Sequence, residues 1–261
     1  MSLLPSSLPF QLDRTVFIRA TPAVVFRHFT DSARWAKWWG AGSTIDARAG
    51  GRVSIVHPGG VVSSGDVVEV NAPKRFVFTY GFDSGKPIPP GSSLVTITLA
   101  ADPAGTKLHL HHALADEATS IEHAQGWRFQ LSLFANVVAD EVNTSSSDAV
   151  DGWFDAWAEP DVAKREMILT RIAAPEIQFN DRFSNLETIP DVMAHITAAQ
   201  RFMPGIRLRR AGNVRHCQGM VLAEWTATGP DGAEAMRGTN AFVFGPTGRL
   251  ESVTGFVTPK V

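Results

Sequence analysis

The sequence predicts an α+β protein built of two modules, and three observations carry that prediction. Apolar periodicity gives way to a polar run at one place, Asn143-Thr-Ser-Ser-Ser-Asp-Ala-Val150, just past the middle of the chain, as it does at a linker between domains. Before that run, alternating segments punctuated by Gly and Pro lead into one long stretch of helical spacing. After it, helical spacing comes first and alternating segments follow, which are two different ways of packing a sheet on helices. The chain has 261 residues, 44% of them hydrophobic and 19% charged, enough for two cores of roughly 100 to 150 residues each. The modules are assigned to residues 14–142 and 151–261, with 143–150 as the linker.

Composition removes several function classes. A formal net charge of -2 and the lack of a long Lys or Arg run provide no broad basic field for nucleic acid or an anionic membrane. The single cysteine, Cys217, allows no intrachain disulfide, and no Cys/His cluster has the spacing of a metal site. A reducing compartment is expected. Residues 1–13 lack both the basic start and the long apolar run of a signal peptide or a membrane span, so a cytoplasmic protein is expected. No Gly-rich phosphate loop opens a helix, and no cofactor is expected. Gly238-Thr-Asn240 and Ser145–Ser147 have no nucleophile-elbow context. His216 and Cys217 are strand neighbours on opposite faces, so they form no nucleophile and base pair.

In the first module, Thr15-Val-Phe-Ile-Arg19 alternates as a strand, and Thr21-Pro22 caps and opens a short helix to Phe29. Thr30-Asp31 caps a second helix, which carries Trp35, Trp38 and Trp39 at spacings of three and four and ends at Gly40. Five strands follow, at 52–57, 61–70, 75–81, 92–100 and 106–112, separated by Gly50-Gly51, Pro58-Gly59-Gly60, Ala72-Pro73, Pro89-Pro90-Gly91 and Pro103-Ala104-Gly105. A long helix over 118–142 carries Ile121, Trp127, Leu131, Phe134, Val138 and Val142 toward the sheet. In the strand Lys107-Leu-His-Leu-His-His112, alternation sends Leu108, Leu110 and His112 to one face and Lys107, His109 and His111 to the other. His112 is therefore the interior histidine, with two readings: a hydrogen-bonded core group or a ligand contact. The same two readings, packing or ligand platform, hold for the tryptophans and for Tyr80.

Ala20-Thr-Pro22, Phe29-Thr-Asp31, Trp35-Ala-Lys-Trp-Trp-Gly40, Gly50-Gly51, Pro73-Lys-Arg75, Gly91-Ser-Ser93 and His123 with Gly126-Trp127 make this module resemble the Aha-type branch (activator of heat-shock ATPase homologue) of the START-like, SRPBCC superfamily. The resemblance implies a helix-grip fold around a hydrophobic pocket, with Trp35, Trp39, Tyr80, His112 and Trp127 as ligand-binding candidates. It also raises chaperone activation or a regulatory interaction as an alternative.

The second module opens with Trp153 and Trp157 at i and i+4 on one helix and a further helix after Glu159-Pro160-Asp161. A short strand, Ile177-Gln-Phe-Asn-Asp181, precedes a third helix at 189–203 stopped by Pro204-Gly205. Strands at 206–216, 220–228, 233–244 and 250–257 complete it, parted by Gly-Pro turns. Phe179-Asn-Asp181, Met203-Pro-Gly205, Glu224-Trp225, Gly238-Thr-Asn240 and Gly248-Arg-Leu250 resemble the SnoaL-like branch of the nuclear transport factor two superfamily, a cone-shaped α+β barrel of the cystatin-like fold. That resemblance implies an apolar cone with Trp157, Arg201 and Trp225 as binding candidates. It also implies the alternative of a lyase, isomerase or cyclase with Asp181 as the proton-transferring carboxylate. Asn240 would be the oxyanion donor, and His195 a third catalytic candidate. A turn carboxylate is the other reading of Asp181. Binding of a small hydrophobic or aromatic molecule in one or both cavities is the function expected first. A homodimer through the second module is also expected, with Val221, Trp225, Phe242 and Phe244 as its permissive surface.

Overall fold

The computed structural model describes residues 8–259 and falls into two compact units, Met1–Ala139 and Asp140–Val261. Each is a mixed α+β structure with its own sheet.

Unit 1 runs β1 (Phe10–Ile18), α1 (Pro22–Arg27), α2 (Ser32–Trp39), β2 (Thr44–Ile45), β3 (Arg52–Val56), β4 (Val62–Asn71), β5 (Arg75–Tyr80), β6 (Ser93–Asp102), β7 (Gly105–Leu114) and α3 (Glu117–Val142). The seven strands form one antiparallel sheet in the order β1-β7-β6-β5-β4-β3-β2. β1 starts at Phe10 instead of Thr15 because Phe10 through Arg14 pair with Leu114 through Leu110, a distant partner that local alternation does not reveal. Asp31 caps α2 by accepting the Arg34 amide at 2.9 Å. Thr21 sits at the N-cap of α1 without a side-chain bond, and Pro22 alone sets the start. Side chains of α2, of α3 and of the segment after α1 meet over one face of the sheet. Phe29 stacks on Phe76 and Phe134 at 6.0 and 4.8 Å, and Trp38 meets Phe134 edge-on at 4.8 Å.

The buried face of α3 is Trp127, Leu131, Phe134, Ala135 and Val138, spaced as one helix side. Ile121, read from the sequence as part of that face, is 67% exposed. It precedes Trp127 by six positions, which the 3.6-residue period turns well away from the sheet. Alternation holds on β7: Leu108, Leu110 and His112 are buried, while His109 and His111 reach outward to Asp13 on β1.

Unit 2 runs α4 (Ser146–Ala158), α5 (Val162–Ile172), β8 (Ala173–Asn180), β9 (Asn185–Leu186), α6 (Ile189–Phe202), β10 (Arg207–Cys217), β11 (Met220–Thr228), β12 (Glu234–Phe244) and β13 (Leu250–Val257). Its sheet order is β10-β11-β12-β13-β8-β9, antiparallel except where β13 and β8 run parallel. The run read as a linker is a turn over 143–145 only. From Ser146 it is already α4, whose first turn buries Ser146, Ala149 and Val150. Small polar residues look like linker by composition, yet they are accepted in a first helical turn, where backbone donors lack helical partners.

The core of unit 2 packs Trp153, Phe154, Leu169, Phe179, Phe242 and Phe244 between the helices and the sheet. Val221, Trp225, Phe242 and Phe244, read as a dimer surface, are all buried in the unit, with at most 6% exposure. Strand alternation turned them inward, so they offer nothing to a partner. Arg165, only 1% exposed, joins the α4–α5 corner to α6. Nε and Nη2 donate to the Glu159 carbonyl at 3.1 and 2.8 Å, and the guanidinium also donates to Thr197 Oγ1 at 2.8 Å and Gln200 Oε1 at 2.7 Å. Among the described residues no helix is long and apolar enough to cross a membrane.

Candidate functional site

Each unit holds a cavity with aromatic walls. In unit 1 a cavity of about 330 Å³ lies beside α3, and Trp39, His57, Tyr80, Phe82, His123 and Trp127 are in its wall. Trp39 closes the C-terminal end of α2. Trp127 faces it from α3 with ring centroids 5.6 Å apart.

The sequence-predicted residues divide. Trp39, Tyr80 and Trp127 line the cavity, whereas Trp35 and His112 do not. Trp35 is fully buried, with its indole N–H donated to the Ser54 carbonyl at 3.3 Å. One helical turn separates it from Trp39, and that places it under the β3 backbone. His112 is spoken for on both nitrogens. Trp127 Nε1, which can only donate, gives its proton to His112 Nδ1 at 3.0 Å, so Nε2 carries the ring proton and donates to Ser93 Oγ at 2.8 Å. Ser93 passes the chain on to the Tyr80 carbonyl at 2.8 Å. Burial drives the His112 pKa down to about 3, with the neighbouring His123 and His111 adding to the effect. His112 is thus a neutral strut behind the wall. It fixes Trp127 and the Tyr80 backbone and leaves no atom for a ligand.

Tyr80 and His57 share a serine. Ser63 Oγ lies 2.8 Å from His57 Nε2 and 3.1 Å from Tyr80 Oη. Burial pushes the Tyr80 phenol up to about 12, against the Ser63 hydrogen bond, so it stays a neutral hydroxyl. Burial holds His57 below its usual value, and repulsion from His123 adds to this. His57 and His123 were not singled out as site residues in the sequence, although signals exist for both. His57 continues the alternation of the buried Val53 and Ile55, and His123 lies one turn before Trp127 on α3.

In unit 2 a cavity of about 420 Å³ is walled by Trp153, Trp157, Phe179 and Trp225, with Asp181, His195 and Asn240 as its polar groups. Residues from β8, α6, β11 and β12 meet there. Asp181 and Asn240 flank the same glycine: a β-carbon at Gly255 would lie 3.3 Å from Asn240 Oδ1 and 3.4 Å from the Asp181 β-carbon. The Asn240 amide has a fixed orientation. Trp225 Nε1 donates to its Oδ1 at 2.9 Å, which leaves the NH2 as the uncommitted end. Gly238 makes room for this pair, since a β-carbon there would fall within 2.5 Å of the Trp225 ring.

Asp181 is also a turn residue. Its Oδ1 accepts the Phe183 amide at 2.8 Å, and its own amide donates to the Ser184 carbonyl at 3.1 Å. His195 packs edge-on against Trp157 at 5.6 Å and bonds Ser184 Oγ through Nε2 at 3.1 Å. Arg201, also predicted for this site, is exposed and lies outside the cavity wall. It falls on the side of α6 away from Ile196 and Val192.

Both units are thus of the mixed α+β class, unit 1 a seven-stranded and unit 2 a six-stranded sheet, each packed with helices. Residues 19–139 match the model of the family described as Activator of Hsp90 ATPase homolog 1-like protein. Several solved structures overlay on about half of the chain. One is a protein from Agrobacterium tumefaciens strain C58, described as a candidate isomerase of the SnoaL-like family, at 24% identity over 46% of this chain and 99% of that chain, with a TM-score of 0.42. Another is the Aha1 dimer from Colwellia psychrerythraea, at 18% identity over 48% and 92%, with a TM-score of 0.41. A third is CalU16 from Micromonospora echinospora, at 26% identity over 48% and 71%, with a TM-score of 0.41. None of the curated proteins matches the chain.

Proposed function

We propose that the protein binds a small hydrophobic, aromatic molecule, with the cavity of unit 2 as the principal site. The supporting observation is the wall itself. Six large rings, those of Trp153, Trp157, Phe179, Phe183, Phe202 and Trp225, border about 420 Å³, with Asp181, His195 and Asn240 beside them as polar side chains, the composition of a pocket that buries an apolar ligand and fixes its orientation at one end. Bound ligand stabilises the native state by mass action. A thermal-shift screen of the full chain against steroids, polyketide-like aromatics and fatty acids is expected to raise the melting temperature for the aromatic classes. No shift from any class would refute the reading.

A second reading makes unit 2 an enzyme. One observation favours it: Asp181 and the free NH2 of Asn240 stand on either side of Gly255, within one cavity. In that arrangement a carboxylate removes a proton at the carbon beside a carbonyl, and the amide donates to the developing enolate oxygen. Deuterium exchange into a bound aryl ketone, compared between the wild type and Asp181→Asn, tests it. Equal exchange in the two proteins would leave Asp181 as a turn residue and unit 2 as a binding cup. A homodimer is a separate proposal, now without the residues first offered for its interface. Light scattering at micromolar concentration checks it, and a monomer would refute it.

A further inference from the structure

Among the described residues two glycines stand inside helices, Gly126 in α3 and Gly152 in α4. Packing accounts for only one of them. A β-carbon at Gly152 would lie 3.2 Å from Ile172 Cγ2, so a close neighbour fills the place of a side chain. A β-carbon at Gly126 would meet nothing within 4 Å, and the backbone there is ordinary helix, outside the left-handed region. Glycine is the poorest helix former after proline, because ordering it gives up the most backbone freedom. Neither packing nor conformation calls for it at position 126.

The open space in front of Gly126 is the unit 1 cavity. On a helix surface the neighbours of a residue are those three and four positions away, and all four of these, Glu122, His123, Phe129 and Gln130, line the cavity together with Gly126 itself. Glu122, Gly126 and Phe129 are exposed and mark its mouth, while Trp39, Tyr80 and Trp127 are buried and form its inner wall. The missing side chain thus leaves bare helix backbone on the way in. Close approach of a ligand to the backbone is a use of glycine that needs no contact within the protein, and a flat molecule fits such a slot between rings. Among the lining residues Glu122 is the one carboxylate, and none is Lys or Arg. An acidic ligand would meet a like charge with no cation to pair it.

We propose that the unit 1 cavity is a second ligand site, entered across Gly126, and that it takes a flat aromatic molecule without an acidic group. This rests on the reading that the protein binds small aromatic molecules, and it adds to that reading a site and its entrance. Gly126 decides admission, since any long side chain at 126 occupies the slot.

N-phenyl-1-naphthylamine is a neutral probe of this shape, and 8-anilino-1-naphthalenesulfonate is the same ring system with an acidic group. Calorimetric titration of the full chain with the neutral probe should give one site in each unit for the wild type, and Gly126→Leu should lose the unit 1 site, with Kd there weakened by about tenfold or more. The melting temperature of Gly126→Leu should be no lower than that of the wild type, because leucine is the better helix former and the space in front of it is open. That result separates a blocked slot from a damaged fold. In the wild type the backbone amide resonance of Gly126 should move with the neutral probe and stay in place with the sulfonate. An unmoved resonance, with the same number of sites in the wild type and Gly126→Leu, overturns the inference and leaves binding in unit 2 standing. A resonance that moves equally with both probes overturns the exclusion of acidic ligands. No binding of the neutral probe anywhere overturns the inference together with the reading it rests on. Should Gly126→Leu fail to fold, the wild-type resonance decides alone, and its failure to move refutes the proposal.

Discussion

Acid should unfold unit 1 through His112, and the size of the effect follows from its surroundings. The ring is buried and neutral, with its pKa held at about 3 against an ordinary value of 6.5. Its folded-state affinity for protons is thus depressed below that of the unfolded chain, which binds the extra proton throughout the window between the two values. The stability that neutrality confers is complete above pH 6.5 and is lost steadily as pH falls toward 3. Between pH 7 and 4.5 the loss covers about two pK units, or roughly 3 kcal/mol at 1.36 kcal/mol per unit. With a urea m-value on the order of 2 kcal/mol/M, the unfolding midpoint should fall by more than about 1 M. The assay is urea unfolding of the wild type and of His112→Gln, followed by tryptophan fluorescence at a series of pH values. Gln does not titrate, so His57 and the surface groups contribute to both curves and cancel in the difference. A wild-type profile parallel to that of His112→Gln would refute the reasoning. A carbon resonance of His112 that titrates near pH 6 in the folded protein would do the same.

Arg165→Ala should destabilise unit 2 by about 3 kcal/mol in urea unfolding, since it breaks bonds from a buried guanidinium to Glu159, Thr197 and Gln200. A loss below about 1 kcal/mol would mean that the corner is held elsewhere. Gly238→Ala drives a methyl into the Trp225 ring; the near-ultraviolet dichroism of Trp225 should change and stability should drop by about 1 to 3 kcal/mol, the cost of overpacking. Trp225→Phe leaves Asn240 Oδ1 without its donor at a 5% exposed site and should cost about 1 to 3 kcal/mol, with partial recovery in Trp225→Phe/Asn240→Leu if that oxygen is the cause.

Much of the fold was written into local pattern. β11 and β13 coincide with the alternating segments read from the sequence, and α3 with the stretch of helical spacing to within a residue, because alternation and a 3.6-residue period are properties of the backbone itself. The inward direction of His112 followed from its two leucine neighbours in the same way. What local pattern could not supply were choices made between distant segments. Trp35 and Trp39 both lie on α2, yet only Trp39 lines a cavity, because Trp35 is held under β3 by its bond to Ser54, while Trp39 meets Trp127 of α3 at the cavity wall. Asp181 and Asn240 are brought together by the parallel pairing of β8 with β13 beside β12, a juxtaposition that neither strand encodes alone. The polar run after Val142 read as linker by composition and became the first turn of α4. The sequence by itself determined which residues of one strand share a face, as with Leu108, Leu110 and His112, since that depends on period alone. Tertiary structure decided which inward residues border empty space and which are sealed by a neighbour, since that depends on where another element ends.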